Sequence, residues 1–279
     1  MNNLKLPSQQ IGEFSITAIS DGYLSAGLDL LSNIDPVDAS KLQQDAGVND
    51  LSSIHINCYL VRGRGRTILI DAGAGGFKQW GGKLKANLAL AGVHASDIDT
   101  ILLTHAHPDH VGGLLDSSGG AAFPNAELVV HKHEVSFWED DSNLARASER
   151  ARGNFLFARE VFDQYRENMR TFAGSEVLPG ISAMPLLGHT AGHSGYRIES
   201  DQRSLLVWGD IVHVPPIQIA RPEVSIAFDH DPLLAAETRS KLLDVVSSDK
   251  LLIAGMHLGE LGFAHIKRRA GRYEIIYET

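Results

Sequence analysis

The sequence predicts an α/β (α+β) protein in which two β-sheets pack face to face with helices on the outside. Short apolar or alternating runs of strand character fall into two blocks, roughly residues 1–175 and 176–279, and the second repeats the logic of the first. Stretches of helical spacing flank the strands in both blocks. No solenoid-type period recurs, which removes repeat architectures. At 279 residues the chain can bury one sizeable core, so we read it as a single domain of two pseudo-repeated halves.

Taken in order, residues 14–20 alternate apolar and polar and read as an opening strand that turns at Asp21-Gly22. Residues 24–50 are mixed, with a helix expected over 36–46; Leu28, Leu30, Leu31 and Ile34 are read as packing residues first and pocket lining second. Residues 54–61 and 66–70 are strands joined by Arg62-Gly63-Arg64-Gly65, a hairpin signal. The glycine-rich segment 71–76 lacks the Lys-Ser/Thr of a phosphate loop, and its expected role is to let backbone pass close beneath a site. A helix over 84–91 ends at Gly92, and 98–104 is a buried strand. Residues 127–131 form another strand; His131 and His133 alternate like ligands but are read as strand-end residues. Residues 143–171 are polar and periodic, an exposed helix or helix pair. In the second block, 181–187 is a strand, 195–199 and 204–208 a hairpin, 232–246 a helix, 251–254 a strand and 264–277 a closing hairpin.

Hydrophobic content of 43% and charged content of 21% are ordinary for a globular chain. The net charge of −9 argues against nucleic acid and anionic membrane surfaces as partners. No apolar run is long enough to span a bilayer, and the first residues lack the apolar core of a secretory signal, so a cytoplasmic location is expected. The one cysteine, Cys58, lies in an apolar strand pattern and reads as a buried structural thiol.

The chemistry concentrates in Thr104-His105-Ala106-His107-Pro108-Asp109-His110, directly after the apolar run Ile101-Leu102-Leu103. His105 and His107 are two apart and project alike from an extended chain. Four imidazole and carboxylate groups within so few residues are the donor set that zinc and iron prefer, and packing alone does not account for them. Histidine and aspartate recur further on in Gly188-His189-Thr190-Ala191-Gly192-His193, Trp208-Gly209-Asp210 and Gly255-Met256-His257.

This set of motifs resembles that of the metallo-β-lactamase superfamily of dinuclear metallohydrolases, which implies a four-layer αββα sandwich with ligands on loops along one edge. By that resemblance one metal takes His105, His107 and His193, the other takes Asp109, His110 and His257, and Asp210 bridges them. Asp71 is implied to orient a ligand histidine from behind. Two divalent ions per chain are implied, zinc first, followed by iron, manganese or cobalt. A hydroxide shared between ions ~3.5–4 Å apart is the implied nucleophile, because metal binding lowers the pKa of water to about 7. Asp109 would hold that hydroxide as well as ligate, so Asp109 and Asp210 are the catalytic candidates. Ser194, in a segment superficially like Gly-x-Ser-x-Gly, lacks the elbow that a nucleophilic serine needs.

Residues 82–84, 91–92, 210–214, 228–229, 255–258 and 262–266 are similar to the methyl parathion hydrolase-like branch, and the likeness runs over nearly the whole chain from about Phe14. The chain departs from that branch at Gly259-Glu260-Leu261, where Pro-Phe-Pro is usual. Such enzymes and the neighbouring lactonases cleave lactones, aryl esters and phosphotriesters. The expected activity is hydrolysis of a small neutral lactone or carboxylic (aryl) ester, with phosphotriester hydrolysis second. A single-iron dioxygenase of the same fold and a non-catalytic metal-binding protein rank below both. Trp138, His213, Ile226 and Phe228 are the expected pocket wall, and a homodimer is a possible assembly.

Overall fold

The computed structural model describes residues 6–278. The first block runs β1 (Ser8–Ile11), β2 (Phe14–Ser25), β3 (Leu31–Ser32), α1 (Pro36–Asp45), β4 (Ser53–Gly63), β5 (Arg66–Ile70), α2 (Leu84–Leu90), β6 (Thr100–Leu102), α3 (Pro108–Val111), β7 (Glu127–His131), α4 (Lys132–Glu139), α5 (Asp141–Arg146), α6 (Glu149–Tyr165) and β8 (Met169–Phe172). The second contains β9 (Glu176–Leu178), β10 (Ile181–Pro185), β11 (Ser194–Ser200), β12 (Arg203–Val207), α7 (Pro215–Gln218), β13 (Ser225–Ile226), α8 (Pro232–Ser248), β14 (Leu252–Ala254), β15 (Phe263–Arg269) and β16 (Arg272–Tyr277).

Among the described residues the strands form two seven-stranded sheets, ordered β1-β2-β4-β5-β6-β7-β8 and β16-β15-β14-β12-β11-β10-β9, and a two-stranded sheet of β3 and β13. Side-chain alternation along the strands sorts the apolar residues into layers. Tyr59, Val61, Ile68 and Ile70 face Tyr196, Ile198, Leu205 and Val207 of the other sheet in one inter-sheet core. Cys58, Leu60 and Leu69 point the other way, onto a layer that includes Leu88, Val135, Phe155 and Phe162 of α2, α4 and α6. Leu206 and Ile253 likewise point outward, onto Leu242, Leu243 and Val246 of α8. Helix, sheet, sheet, helix is the architecture that the sequence predicts. No helix of the described residues is long and apolar enough to cross a membrane.

The strands β5, β6 and β7 are parallel, as are β12 and β14. Their carboxyl ends open on the same edge, and the loops that follow carry the histidines and aspartates. The hairpin at Arg64-Gly65 has both turn residues at positive φ (50° and 72°), which explains the sharp reversal between β4 and β5. The polar stretch 143–171 is a helix pair, α5 and α6, that buries Phe155, Val161 and Phe162; its last residues leave the helix and form β8 at the edge beside β7.

The glycine-rich segment after β5 does lie under α3. A Cβ on Gly112 or Gly113 would run into the carbonyl oxygens of Ala74 and Ala72, and Gly113 donates its N–H to the Gly73 carbonyl at 3.1 Å. Gly113→Ala should therefore lower unfolding free energy by about 1–3 kcal/mol, the usual cost of overpacking a tight contact. Urea unfolding measures it, and an unchanged midpoint would contradict the close approach.

Candidate metal centre

The loop after β6 turns into α3 at Pro108, the first helical residue, where a missing N–H costs nothing. That turn sends His105 and His107 to one side and Asp109 and His110 to the other. His105 Nε2, His107 Nδ1 and His189 Nε2 form a triangle with edges of 3.0, 2.9 and 3.1 Å. A second group brings His110, His257, Asp109 and Asp210 together. There Asp210 Oδ2 lies 3.1 Å from both His110 Nε2 and His257 Nε2, and Asp109 Oδ2 lies 3.3 and 3.6 Å from them. Asp210 Oδ2 is also 3.8 Å from His105 Nε2 and 3.6 Å from His189 Nε2, so it stands between the two groups.

The outer nitrogens fix which inner ones carry lone pairs. Thr104 Oγ1 donates to Asp71 Oδ2 at 2.6 Å, so at its 3.1 Å contact with His105 Nδ1 the ring must donate. His110 Nδ1 faces Asp71 Oδ2 at 2.6 Å, His189 Nδ1 faces Asp229 Oδ1 at 2.9 Å, and His257 Nδ1 faces the His55 carbonyl at 2.7 Å. All three partners accept only, so each outer nitrogen keeps its proton and each Nε2 is left as a donor of electrons. Asp71 achieves its reach with φ at +58°, a left-handed conformation that a non-glycine residue holds only when its surroundings demand it.

At the three-nitrogen group electrostatics agree with that division, whereas the carboxylates raise His110 and His257 and favour a proton where a cation would stand. Burial lowers His105 and His189 well below the usual imidazole range, with neighbouring histidines adding to the effect, and brings His107 to about 4. Burial works against charge at His110 too, but Asp210, Asp109 and Asp71 outweigh it and raise that group. Asp210 Oδ1 is buried with no hydrogen-bond partner, as are both ring nitrogens of His213. Orphaned acceptors and converging lone pairs are costly unless a cation satisfies them, and the imidazole–carboxylate set suits a zinc-class ion. The residues therefore fit a metal centre.

The structure corrects two expectations. His193 does not join the triangle: its Nδ1 donates to the Leu186 carbonyl at 2.7 Å and its Nε2 accepts the Asp210 N–H at 2.9 Å. Both nitrogens are used within the protein, and His189 takes the place that the resemblance implied for His193. Ile226 does not face the pocket, because β13 pairs it with Leu31 of β3 and turns its side chain into packing. Trp138, His213 and Phe228 do line a cavity of about 410 Å³ beside Asp109 and Asp210. Leu30, expected as packing, also lines it.

Sequence reading missed His189, Asp229 and Glu134. Glu134 is fully buried; desolvation raises its carboxyl, while hydrogen bonds from Thr190, Trp138, Ala106 and Gly192 pull it back. The resemblance assigns the ligand of Gly188-His189-Thr190-Ala191-Gly192-His193 to His193 although both histidines offer the same donor, and Asp229 carries a signal only in the motif Phe228-Asp229.

Residues 54–257 match the family model of the metallo-beta-lactamase superfamily. The chain belongs to that superfamily. The hydrolase AbOPH, a solved member of the beta-lactamase superfamily, is 31% identical, with a TM-score of 0.91 over 98% of this chain and 97% of its own. AidC, a dizinc quorum-quenching lactonase solved with the product N-hexnoyl-L-homoserine, is 26% identical, with the same TM-score of 0.91 and coverages of 98% and 97%. Among curated relatives, the uncharacterized protein YobT of Bacillus subtilis is 27% identical over 56% of this chain and 61% of its own. The N-acyl homoserine lactonase AiiA of Bacillus thuringiensis subsp. kurstaki is 27% identical over 60% and 58%. The metallo-beta-lactamase-fold proteins that this chain resembles thus include a hydrolase and lactonases. The chain spans about three fifths of the length of these two curated relatives.

Exchange of the two loop histidines separates their roles. His189→Ala is expected to lower bound metal by about one ion per chain, since it removes a corner of the triangle. His193→Leu should keep the metal content while losing about 1–3 kcal/mol of stability through the stranded Asp210 N–H. Elemental analysis of both variants, with the opposite pattern, would restore His193 as the ligand.

Proposed function

We propose that this superfamily member is a dinuclear metal-dependent hydrolase of small neutral lactones or carboxylic esters. The observation that carries the reading is Asp210 Oδ2, which lies between a three-nitrogen group and a group of two imidazoles and a carboxylate. His105, His107 and His189 would hold one divalent ion, Asp109, His110 and His257 the other, and Asp210 both. Such a pair of ions, when bound, supplies Lewis acidity and a water ionised near neutral pH.

The side chains around the centre then define the substrate. Asp109 faces the cavity and can accept a hydrogen bond there while its Oδ2 stays near His110 and His257. His213 lies beside the other carboxylate, with Nε2 3.1 Å from Asp210 Oδ2 and its ring stacked on His257 at 5.4 Å and 21°. A proton on its free nitrogen can meet a carbonyl or ring oxygen of the substrate. Trp80, Phe137, Trp138, Phe155 and Phe228 give the cavity aromatic walls, and Leu24, Leu30 and Ile54 add aliphatic surface. Walls of that kind favour uncharged acyl or aryl groups. AidC, solved with a hydrolysed acyl-homoserine product, offers support for a lactone.

Two measurements test this. The purified protein should hold close to two divalent ions per chain, and Asp210→Ala should lower occupancy and nearly abolish turnover; full activity in Asp210→Ala would sink the dinuclear reading. Aromatic lactones or aryl esters should exceed dialkyl aryl phosphotriesters in kcat/KM by at least about tenfold, roughly 1.4 kcal/mol of transition-state preference. His213→Leu should narrow that gap, because the lactone loses a hydrogen-bond partner and the bulkier triester gains room. A wild type that prefers the phosphotriester reverses the assignment.

A further inference from the structure

Glu134 lies outside the candidate ligand set, yet it joins the two loops that supply the three-nitrogen group. It sits in the first turn of α4 with no solvent exposure. Its Oε1 accepts the Ala106 N–H at 2.9 Å and the Trp138 Nε1–H at 2.6 Å. Its Oε2 accepts the Thr190 hydroxyl at 2.7 Å and the Gly192 N–H at 2.8 Å. Ala106 stands between His105 and His107, and Thr190 follows His189. All four neighbours donate, so a carboxylate is fully satisfied there, whereas an amide would set an N–H₂ against at least one donor.

The loop 188–193 is shaped to reach this group. A Cβ on Gly192 would strike the Glu134 backbone, so the contact exists only because that position is glycine. At the loop's other end a Cβ on Gly188 would strike Ala235 of α8. The His189 loop is thus clamped between two helices, and Glu134 is its hydrogen-bonded tie to the His105–His107 loop. Trp138, the carboxylate's fourth partner, lines the substrate cavity and stands 5.6 Å from the His107 ring.

We propose that Glu134 is a positioning residue that sets the distance between the His105–His107 loop and the His189 loop, and so the affinity of the three-nitrogen group for its ion. The inference rests on the dinuclear reading above. A single charged acceptor shared by both loops holds them in one register at less entropic cost than separate contacts would. Partners of this kind, one step removed from a metal, commonly govern affinity by about 10–100-fold.

The test uses the full chain stripped of metal and titrated with zinc alone against a chromophoric competitor, alongside thermal melting of the metal-free protein. Wild type should take up two ions. Glu134→Gln should bind one of them about 10–100-fold more weakly and the other as wild type does. Thr190→Val, which removes one donor of four, should weaken the same step by a smaller factor and leave metal-free melting close to wild type. Wild type that fails to bind two ions overturns the dinuclear reading and this inference with it. Two-ion binding by wild type with unaltered stepwise affinities in both variants overturns the role of Glu134 alone, and lowered metal-free melting with unaltered affinity reduces it to a structural contact. Should Glu134→Gln not fold, the zinc affinities of Thr190→Val decide by the same criterion.

Discussion

The site depends on keeping Asp109 and Asp210 buried within a shell of imidazoles. Two carboxylates so close repel one another and lose their hydration, a combination that no protein interior tolerates without compensating charge. The imidazole nitrogens gathered around Asp210 Oδ2 give partial relief, and Asp210 Oδ1 is left with no partner at all. Each surrounding group must therefore hold its position to within hydrogen-bond tolerance. Loops could not do that alone. The fold sets them at the carboxyl ends of β6, β12 and β14 and between β10 and β11, where inter-sheet packing fixes the strand ends.

A second layer of acceptors fixes the rings themselves. Asp71, Asp229 and the carbonyls of His55 and Leu186 each take one imidazole N–H, and each comes from a different part of the chain. Removing the proton choice from these four rings converts flexible groups into lone pairs of known direction. Asp71 serves Thr104 and His110 at once, and Glu134 serves the loops of His107 and His189 at once. Carboxylates with several partners hold the geometry, while the apolar core holds the sheets.

Much of this was legible in the sequence, and the parts that were not have physical reasons. The dense run His105 to His110 announced a metal site because packing does not need such residues together. Asp210 and His257 stood at the ends of readable strands, and the two-block strand pattern gave the layered fold. His189 and His193 share one short loop and one residue type, so only the path of the backbone past Leu186 and Asp210 distinguishes them. Ile226 failed as a wall residue because its orientation is set by pairing with Leu31, nearly two hundred residues away in the chain. Glu134 was hidden because a lone acidic residue in the first turn of a helix looks like an ordinary response to the helix dipole. Its value comes from contacts with residues 106, 190 and 192, which no local pattern encodes.

The cavity wall and the candidate metal centre share their supports, so a change in one reaches the other. Residues 30–32 of the first block pair with 225–227 of the second through β3 and β13, and Ala227 donates its N–H to the Leu30 carbonyl at 2.9 Å. Leu30 and Phe228 line the cavity, while the next residue, Asp229, orients His189. The backbone continues the connection: His230 N–H donates to the His189 carbonyl at 3.0 Å and Asp231 N–H to the Gly188 carbonyl at 2.8 Å. On the opposite wall Trp138 both lines the cavity and donates to Glu134. Remodelling either wall therefore reaches the three-nitrogen group through one intervening carboxylate, Asp229 on one side and Glu134 on the other. By contrast, His257 is held through β14 and the His55 carbonyl, with the Tyr59 hydroxyl donating beneath it to the Gly255 carbonyl at 2.8 Å. The two halves of the centre thus differ in their mechanical independence. The His110–His257 side is fixed by the sheets, and the His105–His107–His189 side is tied to the same elements that shape the cavity.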